Sequence, residues 1–78
     1  MAKRKYYKLK VYDSSEHSVT EVAAIFRQLF GFESVQALSC ITLIQSRGSY
    51  TCKEFKDIET ANKAMEALLE YGLTATVV

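Results

Sequence analysis

The side chains able to do chemistry are few, and the densest group of them is Asp13-Ser14-Ser15-Glu16-His17. It holds carboxylates, two hydroxyls and the one imidazole of the 78 residues. His17 has no obvious nucleophile partner. Cys40 and Cys52 are too far apart for a C-x-x-C redox pair, and with His17 they remain one ligand short of a closed zinc site. They are expected as reduced core thiols. The phosphate-binding G-x-x-x-x-G-K, the G-x-G-x-x-G fingerprint and the G-x-S-x-G elbow are all absent from a chain with three glycines. Glu59, Glu66 and Glu70 fall about one per turn on what should be a solvated helix face. No catalytic residue, metal or cofactor is therefore expected. The chemistry that remains is binding, and a loop held between two firm elements is well placed for it.

Those two elements are legible on either side of the loop. Tyr7, Leu9 and Val11 alternate with Lys8, Lys10 and Tyr12, the period of two of a strand with one face on a core and one in water. Ser18 stands three residues before Glu21, a spacing that lets the hydroxyl take a first-turn N–H while the carboxylate returns to the cap's own N–H. A helix is predicted from Val19, with Val22, Ala23, Phe26, Leu29 and Phe30 continuing its apolar stripe to a stop at Gly31.

Further along, Glu33 to Gln45 reads two ways. As a helix it puts Ala37, Leu38, Ile41 and Ile44 on one face, yet Ile41, Thr42 and Ile44 are β-branched and suit a strand equally well. A turn at Ser46–Ser49 leads to a short strand, Tyr50 to Phe55, with Cys52 inward. Asp57 caps a predicted helix over 58–71, whose stripe is Ala61, Ala64, Met65, Leu68 and Leu69 and whose stop is Gly72. Leu73 to Val78 alternates as a last strand beside the first. Both readings give a single two-layer α+β domain with helices on one face of an antiparallel sheet. The order is β-α-α-β-α-β with three strands or the ferredoxin-like β-α-β-β-α-β with four.

Composition sets outer bounds. A chain this short buries about 60% of the surface it exposes when unfolded, so its apolar 49% is needed for a core and leaves little for a large enzyme cleft. Ten basic against nine acidic residues give a net charge of +1, which offers no strong field for nucleic acid or an anionic membrane. Residues 1–5, with Lys3-Arg4-Lys5, are expected to be a flexible basic amino terminus ahead of one domain at 6–78. Without an apolar run of transmembrane length or a secretion signal, a cytoplasmic location is expected.

Several segments also share the spacing of a known family. Tyr7-Lys8-Leu9 resembles an opening Y-K-V strand, and IFRQLFGF at Ile25–Phe32 resembles a V-L-Q-K-F-F-G helix end. Ala37, Gly48, Cys52, Phe55 and Lys63-Ala64 fall at matching positions. Together they resemble the ClpS adaptors, which bind destabilising amino-terminal residues of proteins and deliver them to an AAA+ Clp unfoldase. The resemblance implies that Glu33 to Gln45 is a helix and that the sheet has three strands, as in the carboxy-terminal domain of the ribosomal stalk protein. It also implies a site, in which an N-D-D loop and a histidine hold the bound α-amino group above an apolar pocket. Those positions are Asp13, Ser14, Ser15 and Gln45 here. Val19 and Ile41 stand at the pocket's methionines, His17 at a threonine, and Lys63 at a lysine of the unfoldase-docking surface. The implied function is a non-enzymatic adaptor-like domain with an altered amino-terminal-residue site and a protein or peptide ligand.

A second likeness points elsewhere. Arg47 to Leu68 is similar to the third strand and second helix of RNA-recognition motifs, whose sheets need exposed aromatics for base stacking. Tyr50 would fill one stacking position, but Cys52 and Lys10 stand at the other two. The usual RNA surface would be lost even if that fold were kept.

Overall fold

Strand β1 (Tyr7–Tyr12) is the middle strand of a three-stranded antiparallel sheet, flanked by β2 (Ser49–Phe55) and β3 (Ala75–Val77). This computed structural model describes residues 6–78, so the basic run at 3–5 lies outside the described residues. Leu9 and Val11 are buried under three helices, α1 (Val19–Phe30), α2 (Ser34–Arg47) and α3 (Ile58–Glu70), while Lys8 is exposed and Lys10 and Tyr12 are half-buried on the other face. Phe26, Leu9, Leu68, Leu73 and Val11 are the largest fully buried side chains; α3 lies on β1, α2 on β2, and α1 packs against both of those helices.

The ambiguous stretch is a helix. The Glu33 N–H donates to Gln36 Oε1 at 3.0 Å, and Ala37, Ile41 and Ile44 are buried at helical spacing. The β-branched residues fit because Ile41 and Ile44 face the core and the Thr42 hydroxyl donates to the Leu38 carbonyl at 2.9 Å. The four-stranded ferredoxin-like order is thus not adopted, and the likeness to RNA-recognition motifs is confined to one strand and one helix. Two stripe assignments also shift. Leu38 is exposed on the outer side of α2, and on α1 it is Ile25 that is buried while Val19 turns outward.

Strand β2 departs from simple alternation. Leu9 pairs with Lys53 and Lys10 with Thr51, which leaves Cys52 as the extra residue of a β-bulge. Lys53 is therefore opposite a core residue. Its ammonium lies 5.9, 5.7 and 6.0 Å from the ring centroids of Phe30, Phe32 and Phe55, where the negative faces of the rings stabilise it.

Helix ends are closed by side chains and turns. Ser18 and Glu21 form the expected reciprocal box on α1, at 3.1 and 3.2 Å. Asp57 accepts from the Thr60 N–H at 3.2 Å and from its hydroxyl at 3.0 Å, and the hydroxyl, followed by the N–H, holds the carboxyl below its ordinary value. After α3 the Leu73 N–H reaches the Leu68 carbonyl and the Gly72 N–H reaches that of Leu69. This is a Schellman turn with Leu73 and Leu68 as its buried apolar contact.

Candidate functional site

The loop after β1 is tied down by its backbone before any side chain acts. The Tyr12 N–H donates to the Thr74 carbonyl at 3.0 Å and the Asp13 N–H to the Gly48 carbonyl at 2.9 Å. These bonds bring the loop beside the end of α2 and the start of β3. Its side chains then close it from within. Ser14 Oγ lies 2.8 Å from His17 Nδ1, and the same oxygen accepts the Glu16 N–H at 3.4 Å.

The opposite side of the His17 ring spans to a distant element. Nε2 lies 2.9 Å from the carbonyl oxygen of Tyr71, at the end of α3. A carbonyl can only accept, so Nε2 carries the hydrogen and, in the neutral ring, Nδ1 accepts the Ser14 hydroxyl. The Tyr71–Gly72 turn is a contributor that the sequence reading missed, since a backbone carbonyl leaves no side-chain signature. Leu73, read there only as strand, is a wall.

The ring is one wall of a cleft of about 20 Å³. Val11, Val22, Ile41, Ile44 and Leu73 supply its apolar wall, with Val19, Ser18 and Tyr12 at its margins. Asp13, Ser14, His17, Val19, Ile41 and Gln45 all line it, so six of the positions marked in the sequence meet in one place. Ser15 is exposed and does not line it. Neither the Asp13 carboxylate nor the Gln45 amide has a hydrogen-bond partner among the described residues. Both are exposed at the rim.

At the helix end of the loop stands the Glu21 carboxyl. The Ser18 N–H, and then its hydroxyl, hold that carboxyl below its ordinary value. Lys63 belongs to a different place, a groove of about 370 Å³ lined also by Leu29, Phe30, Lys53, Phe55 and Ala64.

The two cysteines are free and half-buried. Burial first, and then the neighbouring Cys40, push the Cys52 thiol up to about 12, and burial also raises Cys40. Thiols held protonated in this way are poor nucleophiles and poor ligands. Among the described residues, no three histidine, cysteine or acidic side chains stand together as a metal site, and no helix is long and apolar enough to cross a membrane.

Solved structures contain the same arrangement of elements. Agrobacterium tumefaciens ClpS2, solved bound to L-phenylalaninamide, superposes with a TM-score of 0.83 over 95% of both chains. This chain has the ClpS fold. Sequence identity is 18%, so the likeness is one of backbone architecture. No protein-family model matches the sequence, and no curated protein does either. Here the β1–α1 loop, the end of α2 and the start of β3 meet at one end of the sheet, where the cleft lies.

Proposed function

We propose that the chain is a non-enzymatic protein-interaction domain resembling a Clp protease adaptor, with an altered site for the free amino terminus of a protein or peptide. The observation that carries this is the convergence of Asp13, Gln45 and an apolar wall in one cleft, with both polar groups unpartnered among the described residues. A bound α-ammonium needs acceptors. The Asp13 carboxylate supplies a charge-assisted bond, roughly twice as strong as a neutral one, and the Gln45 amide oxygen supplies a second. Ser14 is already committed to His17, and Ser15 is turned to solvent. The altered site is thus a two-acceptor site with Val19 and Ile41 beside it.

Residues 6–78 act as the binding domain. Delivery would place Lys63 against the amino-terminal domain of an AAA+ Clp unfoldase, in the cytoplasm, so that the domain regulates proteolysis. Lys63 lies away from the cleft, in the groove beside Phe55, so ligand and unfoldase would occupy separate surfaces.

Titrating isotope-labelled protein with a peptide carrying a free amino terminus, and with its acetylated twin, tests the reading. Amide shifts at Asp13–His17 and Gln45 are expected with the free amine alone. An equal response to both peptides would remove amino-terminal recognition.

A further inference from the structure

The cleft has exposed polar groups, Asp13 and Gln45, and an apolar wall of buried side chains, and the half-buried His17 ring lines it while bound to the loop on one side and to the end of α3 on the other. We infer that the His17 ring is a built-in plug that restricts the site to amino-terminal residues with little or no side chain, such as glycine. The inference rests on the amino-terminus reading above and adds the class of residue accepted.

Three observations support it. First, the ring is held at both nitrogens, 2.8 Å from Ser14 Oγ and 2.9 Å from the Tyr71 carbonyl, so swinging it away costs two hydrogen bonds. Second, Gly72 is where the ring rests. A Cβ built there would stand 3.3 Å from His17 Cε1 and 3.4 Å from Nε2, so the ring is packed against the turn and has little room to withdraw in that direction. Third, the space in the cleft is about 20 Å³. One water needs about 10–15 Å³ by this kind of measure, whereas a cavity that takes benzene is about 150 Å³.

The walls offer no easy relief. Val19 and Ile41 are β-branched on helices, where one rotamer dominates, so they do not swing aside as an unbranched side chain can. The related ClpS2 was solved with L-phenylalaninamide, a ligand carrying a phenyl group. The same group brought to this cleft would meet the imidazole. The ammonium of that ligand would still find Asp13 and Gln45 at the rim. Size, and not charge, is what this site should refuse.

The experiment is a titration of three ligands, glycinamide, L-phenylalaninamide and N-acetyl-L-phenylalaninamide, into the wild-type chain and into His17→Ala, read by amide NMR. His17→Thr serves as a second variant that removes the ring and keeps a polar group, should His17→Ala not fold. The wild type should prefer glycinamide to phenylalaninamide, and removing the ring should raise phenylalaninamide affinity roughly tenfold or more, the scale on which steric pockets discriminate. The new shifts should fall at Val19, Ile41 and Leu73. Wild-type protein that takes phenylalaninamide as tightly as the variants overturns the plug, as does a ringless variant that gains nothing. The amine reading fails separately, if glycinamide does not bind and the ringless variants take the acetylated ligand as well as the free one. In that outcome the ring still closes the cleft, against an uncharged ligand.

Discussion

The two ends of the β1 strand are built by different physics. At the cleft end, Ser14, His17, Ser18 and Glu21 fix the loop through directional hydrogen bonds, and the space they leave is about 20 Å³. At the other end Phe26, Phe30 and Phe32 meet at centroid distances of 5.3 to 6.3 Å, with Lys53 over Phe30 and Phe32, beside a groove of about 370 Å³. Ring contacts tolerate many geometries, whereas a hydrogen-bonded clasp sets one. A polar clasp can therefore define a selective opening, while the aromatic end supplies adhesion and an open surface.

The largest expected effect breaks the aromatic end. Phe26 has no exposed surface and is the one ring of the cluster that lies within the core, with Phe30 and Phe32 packed against it. Phe26→Ala should cost about 3–5 kcal/mol, a large share of what holds a small domain together. Urea unfolding measures the loss. In the protein that remains folded, chemical shifts should change most at Phe30, Phe32 and Lys53 and least at Ser14 and His17. Equal disturbance at both ends would mean that the two are one cooperative unit.

Two glycines allow the ends to be compared directly. Gly31, between Phe30 and Phe32, has φ +68° with nothing within 4 Å of where a Cβ would stand, while Gly72 has φ +85° and the His17 ring at 3.3 Å. Alanine at either position bears the left-handed backbone penalty of about 1–2 kcal/mol. Gly72→Ala should lose more than Gly31→Ala, because the ring must also give way. Thermal melts of the two variants supply the comparison, and the His17 ring nitrogen shifts should move in Gly72→Ala alone. Identical melting losses would show that the ring is not packed against the turn.

How far these ends could be read from the sequence follows the same division. The Ser18–Glu21 box and the stops at Gly31 and Gly72 are local patterns, written within a few residues, and each forms in the structure. The helix over 34–47 was open because Ile41, Thr42 and Ile44 carry strand-like side chains, and tertiary burial decided it. Nothing in YTCKEF announces the bulge at Cys52, which turns Lys53 toward the rings, since a bulge is a relation between two strands. The loop from Asp13 to His17 could be marked from its residue types and its place between a strand and a capped helix, whereas Val19, Ile41 and Gln45 could be marked only by resemblance. That the His17 ring is clasped at the cleft could not be seen at all, because its partner is a backbone carbonyl 54 residues away. Short-range hydrogen bonding was legible, and long-range hydrogen bonding to backbone was not.

The smallest effect sharpens the polar end through pH. Glu21 is held below its ordinary value of 4.5 first by the Ser18 N–H, so its folded pKa lies under its unfolded one. As pH falls, the unfolded chain takes up the proton first, and stability falls with it. The contribution is complete above the ordinary carboxylate range and is lost as pH drops through the lowered folded value. Glu21→Gln keeps an oxygen that can accept the Ser18 N–H but removes the titration, since glutamine also serves in this box. Asp57 is lowered in the same direction and stays in both proteins, so the difference between them isolates Glu21. Denaturant midpoints at pH 7 and pH 3 should therefore fall further in the wild type than in Glu21→Gln. The accompanying shift changes should centre on His17 and Ser18 and leave Phe30 and Phe32 unmoved. If the variant loses as much as the wild type in acid, the carboxylate's charge does not hold the loop, and the hydroxyl of Ser18 and the His17 ring carry the clasp without it.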